Sequence, residues 1–399
     1  MNMLIESSMY DDIDDGDLIS TRISTDSKKW SRYTNETIPF WIADMDFKSP
    51  DFLVNEIIER AHKSYFGYTD IPKDLQKNIC NWYIRTKNVT IYENNIIIST
   101  SVLDSYETLL DFFLDNGDEI LFFTPVYTQL MKIARKKYSL AFYDLGDYPY
   151  NIDLRNLEKK INKTSRIKAI VLCNPHNPIG KIWSSEELSA ISNICRRNNI
   201  LLISDEIHSD LIYSGEKFIS LCSFIRKNDK KMFVLNSPGK TFNVSGFKIS
   251  YIISSSSDSE KVRKVIKEKR LSDIDVISLV AANSLYKNID LSLQWLKKTI
   301  LLIQDNYKFA MDFFKDNKRV YIPEMQATYL LWIKVIGSTC FDSEEMRKTL
   351  IQKYGIDLHE GTIFGDSGRE YLRMNIACPK KILEEGLNKL KLAIDNYDI

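Results

Sequence analysis

From about residue 50 onward, short apolar runs rich in Ile, Val and Phe alternate with longer stretches of helical period, and that alternation leaves few folds open. A strand covered on both faces reads as an unbroken apolar run, and a helix between two such runs lets them lie parallel in one sheet. The runs at 95–99, 119–123, 168–173, 200–204, 231–236 and 248–253 are of this kind. Between them, 185–197 has helical period, with Ser184 and Glu187 at capping-box spacing in front of it. The fold class expected is therefore α/β. After about residue 290 the texture changes to long charged helices, with strands expected at 327–335 and 371–376 and a last helix at 381–396, which reads as a smaller α+β domain. At roughly 150 residues per domain, a chain of this length suggests two or three units. The division expected is an N-terminal segment 1–48 packing on the small domain, a large domain 49–288 and a small C-terminal domain 289–399.

Composition excludes several classes of partner. Lys and Arg total 54 and balance 54 Asp and Glu, so no basic field points to nucleic acid or to an anionic membrane surface. The longest apolar runs, such as 200–203 and 329–333, fall far short of the ~20 residues that cross a bilayer. Cys80, Cys173, Cys195, Cys222, Cys340 and Cys378 form no C-x-x-C pair, and the acidic first residues lack the basic and apolar regions of a signal peptide, so a cytoplasmic location is expected. His62, His176, His208 and His359 show no metal-ligand spacing, and no strand is followed by G-x-G-x-x-G. No metal is expected.

Ligands of open parallel sheets bind beyond the carboxyl ends of the strands, so the residues that follow each run matter most. They are Thr100-Ser101-Val102, Thr124-Pro125-Val126-Tyr127, Asn174-Pro175-His176-Asn177-Pro178, Asp205-Glu206-Ile207-His208 and Ser237-Pro238-Gly239-Lys240-Thr241. Singly each has an ordinary reading: a solvated lysine, Asn-Pro turns, an Asp capping a helix, a hydrogen-bonded structural histidine, a tyrosine packed in a core. Together, at one sheet edge, they supply what pyridoxal 5′-phosphate (PLP) needs: an amine, an acid for the pyridine nitrogen, donors for the phenolic oxygen, a ring face and an anion site.

On these residues the sequence resembles the fold-type I PLP enzymes of aminotransferase class I/II, and within them the cystathionine beta-lyase (cysteine-S-conjugate beta-lyase) branch. The similar stretches are 25–30, Trp41-Ile42-Ala43-Asp44-Met45-Asp46-Phe47, Phe66-Gly67-Tyr68, 174–180, 204–211, 240–246 and 371–379. The stretch from Trp41 is the most branch-specific, whereas the Asn-Pro and Asp-Glu elements are shared with transaminases. The resemblance implies a mostly parallel seven-stranded sheet, a Schiff base on Lys240 and Asp205 paired with the pyridinium nitrogen. It implies Asn177 and His208 at the phenolic oxygen, Tyr127 stacked on the ring, and Ser101, Val102 and Ser237 at the phosphate. Arg373 would clamp the substrate carboxylate, with Ala43 and Asp44 lining that end. Tyr68 would reach the phosphate of a neighbouring subunit, which makes a homodimer part of the expectation. The sequence departs from the pattern at Gly239, where a small polar residue is usual, and at Lys248, where transaminases often place a phosphate-binding arginine. It departs again at Gln326-Ala327-Thr328-Tyr329 and at Glu360-Gly361.

The function that the resemblance implies is β-elimination from cystathionine or another cysteine S-conjugate, giving pyruvate, ammonia and a thiol. An aminotransferase acting on a small amino acid shares the first half of that reaction and is the alternative. A third expectation, of another class, is a PLP-fold protein that serves mainly as a regulatory binding partner, a second role that some members of the branch have.

Overall fold

The computed structural model describes residues 15–33, 37–337 and 341–397; Cys340 lies outside them. The described residues fall into two compact units. One runs from Lys48 to Leu301 and takes in Glu324–Thr328; the other comprises the chain up to Phe47, Leu302–Pro323 and the chain from Tyr329. The sequence places a boundary at 288/289, but helix Ile289–Phe314 is continuous and the units divide inside it, between Leu301 and Leu302. A change of texture marks where a helix starts, not where its packing partners change.

The larger unit is built on a seven-stranded sheet. Its strands are β1 (Ile96–Ser99), β2 (Glu119–Thr124), β3 (Ser139–Asp144), β4 (Ile167–Cys173), β5 (Leu201–Asp205), β6 (Met232–Asn236) and β7 (Ser250–Ser254). The spatial order is β1-β7-β6-β5-β4-β2-β3. Neighbours from β6 to β3 pair in parallel, and β7 is antiparallel to both β6 and β1. Strands β5, β6 and β7 are buried along their whole length, the condition under which an apolar run carries no alternation. One layer of core joins the sheet, through Ile120, Phe122, Val171, Ile203 and Phe233, to helix α1 (Val102–Phe113), through Tyr106, Leu109 and Leu110. The helix expected at 185–197 is α2 (Ser185–Asn198), and its capping box is formed: Ser184 Oγ accepts from the Glu187 amide, and the Glu187 carboxylate accepts from the Ser184 amide.

The smaller unit holds a four-stranded antiparallel sheet, order β10-β11-β9-β8, of Val320–Tyr321 (β8), Leu330–Val335 (β9), His359–Glu360 (β10) and Tyr371–Asn375 (β11). The strand expected from 327 starts at Leu330, because Ala327 belongs to the larger unit, where it bridges Ile212. Trp332 and Tyr371 stack with centroids 4.8 Å apart. Gly361 and Gly368 pass so closely that a Cβ on Gly361 would sit 2.0 Å from the Gly368 carbonyl oxygen, which accounts for glycine after Glu360. Residues Ile38–Pro39 add a short parallel pairing with Ile356–Asp357, so the N-terminal segment is part of this unit. Among the described residues, no helix is long and apolar enough to cross a membrane, and Cys80, Cys173, Cys195, Cys222 and Cys378 are buried free thiols.

Candidate active site

Because β1, β2, β4, β5 and β6 share one direction, their carboxyl ends, at Ser99, Thr124, Cys173, Asp205 and Asn236, lie along one edge of the sheet. Strand β7 runs the other way, with Ser250 opposite Ser99 and Tyr251 opposite Asn236, so its start returns to that edge and brings Lys248 there. The loops leaving this edge carry the residues singled out from the sequence.

Asp205 is the last residue of β5 and is 5% exposed. Burial pushes its carboxyl up to about 6; the Ile207 amide, donating at 3.1 Å, and the Lys240 ammonium pull the other way. Lys240 is half-buried in the one-turn helix α3 (Pro238–Thr241) that follows β6. Ser237 caps this turn: its Oγ accepts from the Gly239 amide at 3.1 Å and donates to the Ile249 carbonyl at 2.7 Å. Gly239 is tightly placed, since a Cβ there would meet Ser237 Oγ at 3.3 Å and Ser245 Cα at 3.4 Å, so the departure from a small polar residue has a packing reason.

Asn177 and His208 are both buried, on the loops after β4 and β5. The first of these loops is fixed by its neighbours. Asn174 Nδ2 donates to the Ile219 carbonyl at 2.9 Å, Trp183 Nε1 donates to the Cys173 carbonyl at 2.8 Å, and His176 Nε2 lies 2.7 Å from the Pro125 carbonyl. Burial lowers the His176 imidazole to about 4, so it ties the β2 and β4 loops together as a neutral ring. Tyr127 is half-buried at the start of helix Thr128–Ala134. Ser101 caps α1, accepting from the Asp104 amide at 3.1 Å and donating to the Asp104 carboxylate at 2.7 Å. With that hydroxyl committed to a carboxylate, an anion at this helix start would meet the amides of Ser101 and Val102. The Lys248 side chain is exposed, and Tyr68 is fully exposed on the loop after helix Asp51–His62.

The smaller unit assembles the remaining predicted residues. Arg373, on β11, is 3% exposed, donates to the Trp41 carbonyl at 2.8 Å and lies 4.9 Å from the Phe364 ring centroid. Two residues on, Asn375 Nδ2 donates to the carbonyls of Ile42 and Asp44, each at 2.7 Å. The segment carrying Ala43 and Asp44 is thus laid along β11. Beneath it Lys29, wholly buried, donates to the Asp46 carboxylate at 2.6 Å, Trp30 Nε1 donates to the same carboxylate at 2.8 Å, and Arg22 pairs with Asp44. The two resembling stretches at 25–30 and 41–47 are therefore one interlocked piece. Glu360 has its own partner: burial raises its carboxyl, but His359 and Arg347, the latter at 2.6 Å, outweigh that and bring it to about 2.

One cluster escapes the sequence reading. Asp210 sits at the end of the turn after Asp205 and accepts from Trp82 Nε1, 3.2 Å from each oxygen, from Thr241 Oγ1 at 2.9 Å, and from the buried ammonium of Lys87. Beside it Glu206, also buried, accepts from Ser220 Oγ at 2.6 Å and the Leu221 amide at 2.8 Å, and burial pushes its carboxyl up to about 7. Among the described residues no group of His, Cys, Asp and Glu is placed to hold a metal ion.

A mixed seven-stranded sheet between helices, with an acid and a lysine on adjacent strand ends, defines the fold-type I architecture known from enzymes built round PLP. The chain belongs to the aminotransferase class I and II family, whose pattern matches residues 36–390. It is similar to cystathionine beta-lyase PatB of Bacillus subtilis (strain 168), 27% identical over 383 aligned positions, with 94% of this chain and 98% of that one covered. The crystal structure of cystalysin from Treponema denticola, which contains a pyridoxal 5′-phosphate cofactor, is 29% identical, covers 94% of this chain and 97% of its own, and superposes with a TM-score of 0.85. An aspartate aminotransferase of Bacillus subtilis (strain 168) is 24% identical over 389 residues, covering 94% of this chain and 95% of that one.

Proposed function

We propose that this protein is a PLP-dependent carbon–sulfur β-lyase that releases a thiol from cystathionine or another cysteine S-conjugate. The cofactor fits the donor set. Asp205 is a buried acid whose carboxyl is raised by desolvation, and a protonated pyridine beside it is the cation that lets such a group ionise. When bound, PLP supplies an aldehyde that condenses with amines and a ring that delocalises the electron pair left at Cα. Lys240 holds it through its amine, Asp205 pairs with the ring nitrogen, and Asn177 and His208 meet the phenolic oxygen. Tyr127 covers one ring face. The amides of Ser101 and Val102, with Lys248, receive the phosphate, the first two through the dipole of α1, and Ser237 joins them by turning its hydroxyl from the Ile249 carbonyl to the anion. Tyr68 completes the phosphate site of a second subunit, so the working form is a homodimer.

Arg373 takes the substrate carboxylate, for which a planar guanidinium is better shaped than an ammonium, and Ala43 and Asp44 close that end. Lys240, once its amine is freed by substrate, would take the Cα proton as a general base. With that proton held by Lys240, the bond from Cβ to sulfur would break and the thiolate leave; if Lys240 instead gave the proton back to the bound cofactor, the outcome would be amino transfer. Each 1.36 kcal/mol between the two barriers is a factor of ten in rate, so about 3 kcal/mol separates the products by roughly a hundredfold. The five buried free thiols among the described residues suit a reducing cytoplasm.

The observation that carries the reading is that the buried Asp205 ends β5 beside Leu235 of the parallel β6, and Lys240 stands in the turn that follows β6, so acid and amine share the sheet edge where such folds bind ligands. The lyase arm is favoured by the interlocked Lys29, Trp30 and Asp46, which support the branch-specific Trp41 to Phe47 stretch. Purified protein given cystathionine is expected to release pyruvate and free thiol, and Lys240→Ala is expected to abolish both. Keto-acid-dependent amino transfer without pyruvate would establish the aminotransferase instead, the reading that the similarity to an aspartate aminotransferase supports.

A further inference from the structure

The cluster around Asp210 has no part in the chemistry just described, yet it touches the lysine turn directly, and its meaning rests on the reading that Lys240 carries the cofactor. Helix α3 has four residues. A single turn is not stable by itself, because fixing its backbone costs more than its one hydrogen bond returns. The direction of α3, and with it the direction of the Lys240 side chain, must come from side chains that grip it. At its start the grip is Ser237, with Ser245 Oγ donating to the Gly239 carbonyl at 3.2 Å. At its end it is Thr241, whose hydroxyl donates to Asp210 Oδ2 at 2.9 Å.

Asp210 is in turn held by two side chains of one helix. Trp82 Nε1 bridges both carboxylate oxygens, and Lys87 supplies the counter-charge. The Lys87 and Asp210 side chains are 1% and 4% exposed, and the ammonium lies 5.0 Å from the Tyr83 ring centroid and 5.8 Å from that of Phe218. Helix Leu75–Lys87 thus reaches the lysine turn through one carboxylate. A buried ion pair of this kind stabilises a fold less than apolar side chains of the same volume would. Its placement, one hydrogen bond from the residue next to Lys240, gives it a geometric use. Asp205 and Asp210 also sit on one short stretch, so the end of β5 and the turn after it carry both the acid for the ring nitrogen and the anchor for the lysine turn.

We propose that Asp210 is the positioning residue for Lys240: neutralised by Lys87 and fixed by Trp82, it holds the Thr241 hydroxyl and so sets the rotation of the turn that presents the reactive amine. The decisive variant is Thr241→Val in the holoenzyme, which keeps the side-chain shape and leaves Lys87 and Trp82 on Asp210, so the fold is retained. Misplacing a reacting group by about 1 Å costs up to ~10²-fold in rate. Thr241→Val is accordingly expected to bind cofactor and melt near the parent temperature, with kcat down about 10- to 100-fold and KM changed less than about threefold. The pH at which the visible absorption of the lysine-bound cofactor changes is expected to move, and Thr241→Ser to restore both properties. A Thr241→Val enzyme with parental kcat and an unmoved absorption profile, or a Thr241→Ser enzyme as impaired as Thr241→Val, overturns the proposal. Borohydride reduction of the parent followed by peptide mapping separates the two readings. A label away from Lys240 sinks the cofactor assignment and this inference together; a label on Lys240 with an unimpaired Thr241→Val sinks the inference alone.

Discussion

At the scale of single residues, Asp205 carries a consequence that can be measured without substrate. Its folded carboxyl, at about 6, lies above the ordinary value of 3.8, so the folded chain binds this proton more tightly than the unfolded chain does. The stability that follows is fully present below about pH 4 and is lost as pH rises through 6. The difference between 3.8 and about 6 corresponds to about 3 kcal/mol. Glu206, raised to about 7, adds a loss of the same sign at slightly higher pH. Cofactor-free Asp205→Asn is therefore expected to be more stable than the parent by about 2–3 kcal/mol at pH 8 and not more stable at pH 4; urea melts at the two pH values check this, and parallel pH dependences would refute it. The same substitution should weaken retention of the cofactor, because Asn cannot pair with a pyridinium. The placement of Asp205, Lys240, Asn177, His208 and Ser237 at one sheet edge was legible in the sequence because they follow apolar runs, where the strand-end rule directs attention. Lys87 and Asp210 were not: their meeting joins distant parts of the chain, and a fully buried lysine runs against the usual preference of that residue for water.

At the scale of elements, strands were readable to the extent that both faces are covered. The fully buried β5, β6 and β7 appear as plain apolar runs, although the last begins at Ser250, after Lys248 and Ile249 have served the loop. Strand β3 was not picked out. It is the sheet's edge, its burial is partial and alternating, and its apolar run Leu140-Ala141-Phe142-Tyr143 is short, begins soon after Arg135-Lys136-Lys137 and buries only Ala141 and Tyr143; only the resemblance implied a seventh strand. The C-terminal helix Lys380–Asp395 was legible from its period, but the closeness of its packing was not. A Cβ on Gly386 would lie 2.4 and 2.5 Å from ring carbons of the buried Phe40 and 3.0 Å from Met374 Cε. Replacing a mid-helix glycine by alanine ordinarily gains about 1 kcal/mol, while forcing extra volume into a packed core costs about 1–3 kcal/mol. At 2.4 Å from a buried ring the second effect wins, and Gly386→Ala is expected to lose about 1 kcal/mol in urea melts. A stabilised variant would mean that Phe40 can give way.

At the scale of the whole molecule, the texture change near residue 290 announced a second unit, but only contacts could show that the division falls inside the helix Ile289–Phe314 and that Glu324–Thr328 returns to the larger unit. The same scale holds the proposal of a homodimer. Tyr65, Phe66 and Tyr68 stand 81%, 59% and 109% exposed on one loop, a run of aromatic side chains of the kind that marks an interaction surface. If Tyr68 serves the phosphate of a neighbouring subunit, a closed two-fold dimer makes each site from two chains, with Lys240 from one and Tyr68 from the other. Two damaged proteins can then repair each other. Lys240→Ala alone has no amine to hold the cofactor, and Tyr68→Phe alone lacks the phosphate donor in both sites. In a mixed dimer, the site containing the intact Lys240 receives its tyrosine from the Lys240→Ala chain and is whole, while the other site is doubly damaged. Random pairing of equal amounts makes half the dimers mixed with one good site in two, so roughly a quarter of parental activity is expected on top of the residual Tyr68→Phe rate. The mixture must be unfolded and refolded together, and activity assayed at limiting cofactor, where loss of a phosphate contact is felt most. If Tyr68 acts within its own chain, or not at all, the mixture gives only the average of the two separate variants.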